Sequence, residues 1–202
     1  VVPDVLAAAV SASALVDEVF TSSGLTSASQ WSFGSTGLSL QPTSAGSIGT
    51  ARLAGTTGIN TYVAAVTVSF VGTTGDADRA GGGLLLRAAD PASQSGDIDR
   101  LEVRLDRSSG KGVVVLQARL GGASDPDPIS VGAGTIAGGS TYTLIFTSKP
   151  GSPGRVQVPE ASVDLQVVYP IVVPPTGGLF GLVARGGVGD QVTLSNWTVC
   201  GF

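Results

Sequence analysis

The chain has 202 residues, of which 42% are hydrophobic and 13% are charged, and its formal net charge is −4. It contains no histidine and one cysteine, which excludes Ser–His–Asp and Cys–His catalytic arrangements and zinc sites built on imidazole. An acidic balance without a basic run argues against a nucleic-acid partner, and no apolar run is long enough for a membrane span.

The first 13 residues differ from the rest of the chain. They are mostly apolar, Pro3 disfavours an early helix, and Asp4–Val10 could form two helical turns or an extended arm. We expect this arm, residues 1–13, to be buried on its own domain or on a neighbouring subunit. The residues that would make the contacts are Val1, Val2, Val5, Leu6 and Val10. No signal peptide is visible, so both its removal and synthesis without secretion stay open.

From Ala14 onward, short runs of Val, Leu, Ile and Thr alternate with clusters of Gly, Ser, Asp and Pro, which is typical of a β-sandwich. The clearest strand is Tyr62–Val71, whose alternate residues form two faces. The apolar run Gly82–Ala88 predicts a central strand. The next strand, Ile98–Asp106, alternates between inward apolar residues and an outward face that we expect to be solvated. Its outward residues are Arg100, Glu102 and Arg104.

The turn Arg107–Lys111 predicts a hairpin that joins this strand to Gly112–Leu120. The remaining predicted strands are Thr141–Thr147, Arg155–Val158, Ser162–Val168, Gly178–Arg185 and Gln191–Val199.

The last predicted strand contains a change of parity. Val192 and Leu194 share one parity and Trp197 and Val199 share the other, so only a bulge near Ser195–Asn196 would place all four on one face. Cys200 follows in the same strand. As the only cysteine it cannot form an internal disulfide, which leaves a small buried side chain or a bond to another chain.

Three parts of the chain share a pattern. They are the opening Val16–Phe20 with Trp31–Phe33, the middle Ala80–Ala89 with Leu101–Leu105 and Val113–Leu116, and the closing Gly178–Ala184 with Val192–Val199. The pattern resembles the first strands, central hairpins and final strand pair of laminin-G-like and bacterial lectin-like sandwiches, which belong to the concanavalin A-like group.

The resemblance covers roughly Leu15–Phe202. It implies an all-β fold, a jelly-roll sandwich of two antiparallel sheets over residues 14–202, with the short N-terminal arm over residues 1–13. The group includes glycan-binding modules, glycosidases, adhesion domains and virion surface domains, so the resemblance alone leaves the function open.

The resemblance also implies one catalytic arrangement. Retaining glycosidases of this fold carry a Glu-x-Asp-x-x-Glu strand, and Asp97, Asp99 and Glu102 match its nucleophile, helper and acid/base positions. Asp97 is one methylene shorter than Glu, Arg100 stands where such strands usually carry an apolar residue, and aromatic residues are scarce. Strand alternation already accounts for Glu102, so we expect a chain without enzymatic activity.

Two binding sites have some support. Calcium takes six to eight oxygen ligands, and Asp76, Asp78 and Asp90 could supply loop carboxylates, although Asp beside Gly is also an ordinary turn former. We therefore expect no cofactor, with calcium as the exception to test. Trp31 and Trp197 are the large aromatic platforms on which a glycan could stack, but their apolar neighbours favour a core position for both.

These observations favour a non-enzymatic structural protein that presents the sandwich on a virion, as a phage capsid decoration or tail protein, or on a cell surface. The arm would anchor it to copies of itself or to other subunits of a larger assembly. The alternative is a carbohydrate-binding, lectin-like module for surface glycans, with calcium dependence left open. A degenerate retaining glycosidase is the third hypothesis. All three predict a virion or extracellular location.

Overall fold

The computed structural model describes residues 14–17, 31–34, 37–40, 47–52, 61–71, 80–88, 100–108, 110–120, 123–124, 129–136, 139–149, 152–167, 179–186 and 191–201. These residues form 15 β-strands and one 3₁₀ turn, Pro159–Ala161. The predicted all-β class is therefore confirmed. In these ranges no helix is both long enough and apolar enough to cross a membrane.

The strands are numbered in the order in which they follow one another along the chain. They are β1 Ala14–Asp17, β2 Trp31–Gly34, β3 Gly37–Leu40, β4 Ser47–Arg52, β5 Tyr62–Val71, β6 Ala80–Ala88, β7 Arg100–Ser108, β8 Lys111–Leu120, β9 Ala123–Ser124, β10 Ile129–Thr135, β11 Thr141–Ser148, β12 Gly154–Val158, β13 Val163–Val167, β14 Leu179–Gly186 and β15 Gln191–Gly201.

The described strands pair into two antiparallel sheets, as the sandwich prediction requires. Sheet I has the order β13-β12-β11-β5-β15-β3-β2, and β1 pairs with the second half of β15 while β3 pairs with the first half. Sheet II has the order β10-β8-β7-β6-β14-β4, and β9 pairs with β8. The predicted hairpin is present as β7 and β8.

The core lies between the two sheets and follows from the period of two in the strands. In β5 the alternate residues Tyr62 to Phe70 face the core, where the Tyr62 ring packs edge-on against Phe180 at a centroid distance of 4.8 Å. Gly82 of β6 also faces inward. A Cβ there would lie 2.7 Å from Leu194 Cδ2 and 2.9 Å from Val192 Cγ1, so the glycine allows the two sheets to approach.

The predicted bulge in the last strand is confirmed. The pairing of β15 with β5 shifts register between Ser195 and Thr198, and Asn196 takes a left-handed conformation with φ 49°. The extra residue restores one face. The four residues whose parity required it are all buried in the core, namely Val192, Leu194, Trp197 and Val199.

One edge of sheet I is the hairpin β12–β13, which carries an exposed ion pair. Arg155 Nε and Nη2 donate to Asp164 Oδ1 and Oδ2 at 2.7 and 2.5 Å. The hydrogen bond from Arg155 lowers the pKa of the Asp164 carboxyl below its usual value. The two side chains are 40% and 50% exposed, so solvent and salt screen the pair.

The left-handed residue of the bulge can be tested by substitution. Asn196→Val should lower the free energy of unfolding by about 1–2 kcal/mol, because a β-branched side chain is strained at positive φ. Asn196→Gly is the matched control, because it also removes the amide but tolerates this conformation. Urea unfolding followed by circular dichroism measures both. Equal stability of the two variants would contradict the expected backbone strain at position 196.

The Asp164 pair predicts a small pH dependence. Folding lowers the pKa of the Asp164 carboxyl. The stability that this carboxylate contributes is therefore complete above its pKa in the unfolded chain, about 4, and is lost as the pH falls through its lower pKa in the folded chain. Asp164→Asn should therefore flatten the acid limb of the stability curve, with a loss below about 1 kcal/mol at neutral pH. Unfolding midpoints between pH 2 and pH 7 test this, and an unchanged acid limb would contradict it.

Candidate functional site

The outer face of sheet II carries a row of charged residues on β7. Glu102, Arg104 and Asp106 point away from the core, as the alternation predicts, but they are only 6%, 3% and 3% exposed. The expectation of a solvated face is therefore wrong for Glu102 and Arg104. Alternation fixes the side of the strand on which a residue lies, whereas exposure depends on what packs over that side.

We call Glu102, Arg104 and Asp106 the charged row. The guanidinium of Arg104 connects its members. Arg104 Nη1 donates to Glu102 Oε2, and Arg104 Nε donates to Asp106 Oδ1 at 3.4 Å. The spacing of two residues places all three side chains on one face of the strand. Gln117 lies opposite Glu102 on β8, and its Oε1 accepts from Arg104 Nη1 and Nη2 at 3.4 Å. Buried charges are tolerated at this position because each carboxylate has a cationic partner.

Two glycines of β6 make room beside the charged row. Gly81 lies opposite Asp106 and Gly83 lies opposite Arg104. A Cβ on Gly81 would collide with the Asp106 carboxylate, and a Cβ on Gly83 would collide with the Val103 carbonyl and lie 2.7 Å from Arg104 Cα. Glycines in a strand interior mark such close approaches. The run Gly81-Gly-Gly83 is thus a sequence signal for this site that strand prediction did not use.

The outer face of sheet II is closed on one side of the charged row and opens on the other. Leu85 and Val183, on β6 and β14, are 0% and 1% exposed and contact each other. Across β8, Gln117 is half-buried, and on the edge strand β10 the outward residues Ser130 and Gly132 are exposed. A Cβ on Gly132 would meet no atom within 4 Å. Gln117 is therefore more exposed than the charged row, and the described surface opens farther along, at Ser130 and Gly132 of β10.

The glycosidase-like residues are only partly described. Glu102 lies in the charged row, where it is bound to Arg104, while Asp97 and Asp99 lie outside the described residues. An acid/base must exchange a proton with the substrate, and a carboxylate that is 6% exposed and ion-paired is poorly placed for that role.

The other sequence-predicted residues fall in three places. Trp197 is 1% exposed and part of the core, so its ring offers no platform to a glycan. Trp31 belongs to β2. Cys200 is buried. Outside the described residues lie Asp76, Asp78, Asp90, Val1, Val2, Val5, Leu6 and Val10. Within the described residues, no group of three His, Cys, Asp or Glu side chains could hold a metal ion.

The chain matches no protein-family model and no curated protein sequence. Solved structures do resemble it over most of its length. The exoplasmic/lumenal domain of VIP36 in its Ca²⁺/Man2-bound form has a TM-score of 0.67, is 14% identical, and the match covers 94% of this chain and 87% of that one. The carbohydrate recognition domain of Emp47p has a TM-score of 0.66 at 15% identity, with 93% and 94% covered.

A bacterial domain gives the same result. The carbohydrate binding module CBM66 from Bacillus subtilis has a TM-score of 0.59 at 16% identity, with 88% of this chain and 95% of that one covered. Identities this low establish the fold alone. The chain has a lectin-like jelly-roll fold of the concanavalin A-like type, which confirms the resemblance seen in the sequence.

The charged row predicts an asymmetry between two arginines. Arg104→Met should lower the free energy of unfolding by about 3–5 kcal/mol, because it removes a cation that contacts two buried carboxylates. Arg155→Met is the matched control and should cost less than about 1 kcal/mol, because its pair is exposed. Urea unfolding measures both.

A combined variant keeps this test decisive if Arg104→Met alone does not fold. Replacing Glu102, Arg104 and Asp106 together by Leu, Met and Leu removes all three charges and should recover most of the lost stability. Equal losses for Arg104→Met and Arg155→Met would contradict the ionic role of the row.

Proposed function

We propose that this chain, a lectin-like jelly roll, is a carbohydrate-binding module. One observation carries the proposal: the structures that resemble it over nearly their whole length include a carbohydrate binding module, a carbohydrate recognition domain and a lumenal domain in a Ca²⁺/Man2-bound form. Binding without catalysis also suits a chain that has no histidine. The carbohydrate-binding alternative thus has better support than the assembly function that the sequence favoured.

We place the binding site on the outer face of sheet II, where the charged row meets the open side of β8 and β10. Arg104 Nη1 and Nη2 donate hydrogen bonds to Gln117 Oε1, so the amide NH₂ group of Gln117 points away from the guanidinium. A half-buried amide of fixed orientation is the kind of polar group that gives a sugar site its specificity. Ser130 and Gly132, which pair with Val115 and Val113 farther along β8, are exposed on the neighbouring strand β10.

The charged row acts as the support of this site rather than as its contact surface. Glu102 and Asp106 hold the guanidinium, and the guanidinium holds Gln117. Because the hydrogen-bonding partners are in place before the ligand arrives, little side-chain entropy is lost on binding. Glycan binding of this kind forms and breaks no covalent bond.

Calcium binding would use other residues. Arg104 occupies the place between Glu102 and Asp106 where a cation would otherwise lie, and its own charge opposes a metal ion there. A calcium requirement would therefore rest on Asp76, Asp78 and Asp90, outside the described residues. The lumenal or exoplasmic origin of the VIP36 domain supports an extracellular or secretory location for this chain.

The assembly function stays a prediction from the sequence. Its residues, Val1, Val2, Val5, Leu6 and Val10, lie outside the described part of the chain, and none of the three resembling structures is named as a virion protein.

The proposed site predicts that Gln117→Ala weakens glycan binding about tenfold, since it removes a hydrogen bond of about 1–1.5 kcal/mol. A glycan array identifies the ligand and titration calorimetry measures its Kd. Gln157→Ala is the matched control, because Gln157 is also half-buried and hydrogen-bonded but lies on sheet I. An array without hits, with calcium present, would overturn the function. Hits whose affinity is unchanged in Gln117→Ala would overturn the site, and loss of binding with EDTA would assign a role to calcium.

A further inference from the structure

The outer face of sheet I is divided into an apolar half and a hydroxyl half. The apolar half is mostly covered: Val63, Ala65, Ile145 and Cys200 are at most 3% exposed, and Thr147 and Thr198 beside them are half-buried. In the hydroxyl half, by contrast, Thr141 is exposed and the neighbouring hydroxyl residues are partly exposed. We call this half the hydroxyl patch, and its residues are Thr67, Ser69, Thr141, Thr143, Thr193 and Ser195.

Strand register aligns the hydroxyl patch in two rows that run across the strands. The first row joins Thr141 of β11, Ser69 of β5 and Thr193 of β15, and Ser39 and Ser32 occupy the next positions on β3 and β2. This row therefore has a hydroxyl residue at five consecutive strands, which span about 19 Å at a strand spacing of about 4.8 Å.

The second row lies about 7 Å from the first, because residues on one face of a strand repeat every second position. It joins Thr143 of β11, Thr67 of β5 and Ser195 of β15. The bulge at Asn196 ends this row on β15. Beyond it Thr198 pairs with Ala65, where the apolar half of the face begins.

Hydrogen bonds hold several of these side chains in place. Ser69 Oγ and Thr141 Oγ1 are 2.9 Å apart, and Asn196 Nδ2 donates to Thr67 Oγ1 at 3.2 Å. Each hydroxyl has one donor and two acceptor positions, so one such bond leaves it able to bind a further group. The patch is thus an ordered surface that both donates and accepts.

The hydroxyl patch contains no charged residue. At the rim of the patch the Glu160 carboxylate is engaged, because it accepts from Thr143 N at 2.9 Å and from Thr143 Oγ1 at 2.8 Å. A charged partner would find no countercharge within the patch. A protein partner would find no apolar centre, because the apolar half of the face is already covered. The surface matches an uncharged ligand that is rich in hydroxyl groups.

We propose that the hydroxyl patch binds one extended, uncharged polysaccharide chain, as a second surface on the opposite sheet from Gln117. The proposal rests on the proposed function in its ligand class but not in its site. Each hydroxyl contact replaces a contact with water and adds little by itself. Affinity must therefore accumulate along the row, so the patch selects polymers over mono- and disaccharides.

The experiment is a depletion assay, in which the full chain is mixed with insoluble cellulose, chitin or xylan and the unbound protein is measured. Thr67→Val/Thr141→Val keeps the β-branched shape but removes two hydroxyls, and should weaken binding to the polymer at least tenfold. Thr147→Val is the matched control on the same strand and face. Its buried Oγ1 has no hydrogen-bond partner among the described residues, so binding should not change.

The outcomes separate this inference from the proposed function. Polymer binding that survives in Gln117→Ala but is lost in Thr67→Val/Thr141→Val supports the second surface. Polymer binding that Thr67→Val/Thr141→Val leaves unchanged overturns it, and so does a chain that binds array oligosaccharides through Gln117 but no polymer. Binding to neither overturns both proposals. A dimer in light scattering that only Thr67→Val/Thr141→Val dissociates would assign the patch to a second copy instead.

Discussion

The inner face and the outer face of sheet I both depend on the register of β5 between β11 and β15. A slip of one residue would exchange the two faces of the strand, moving Tyr62 and Phe70 out of the core and the hydroxyls of Thr67 and Ser69 into it. Burying those hydroxyls without partners is costly, so the register is specified from both sides of the sheet. The same alternation builds the core and the polar outer face at once.

Sheet II meets a different constraint, because its outer face is partly buried. The charged row is stable there since Arg104 lies between two carboxylates, and the glycines of β6 leave the space that these side chains fill. Charge, hydrogen bonds and backbone approach are thus coupled on β6 and β7. Arg104 also orients the Gln117 amide through its hydrogen bonds to Gln117 Oε1, so the packing of the sheet determines the geometry of the proposed site.

Much of this fold could be predicted from residue order, and the reasons for success and failure are physical. Parity alone predicted the bulge, since Val192 and Trp197 can share a core only if one extra residue intervenes. Parity also indicated the direction of Glu102 but not its burial, because burial depends on what packs over that face of the strand. The rows of the hydroxyl patch could not be found either. Thr141, Ser69 and Thr193 are far apart in sequence, and only the pairing of three strands aligns them.

The bulge at Asn196 has a consequence for how such a chain can change over generations. The two halves of β15 are out of phase by one residue, so loss of a single residue at the bulge would turn Trp197 and Val199 outward while Val192 and Leu194 stayed inward. A single deletion there would remove large side chains from the core. A deletion paired with an insertion farther along the strand would return the residues beyond the insertion to their original faces. The position of the bulge can therefore shift only through compensated pairs of events, and single-residue gaps should be confined to the connections between strands.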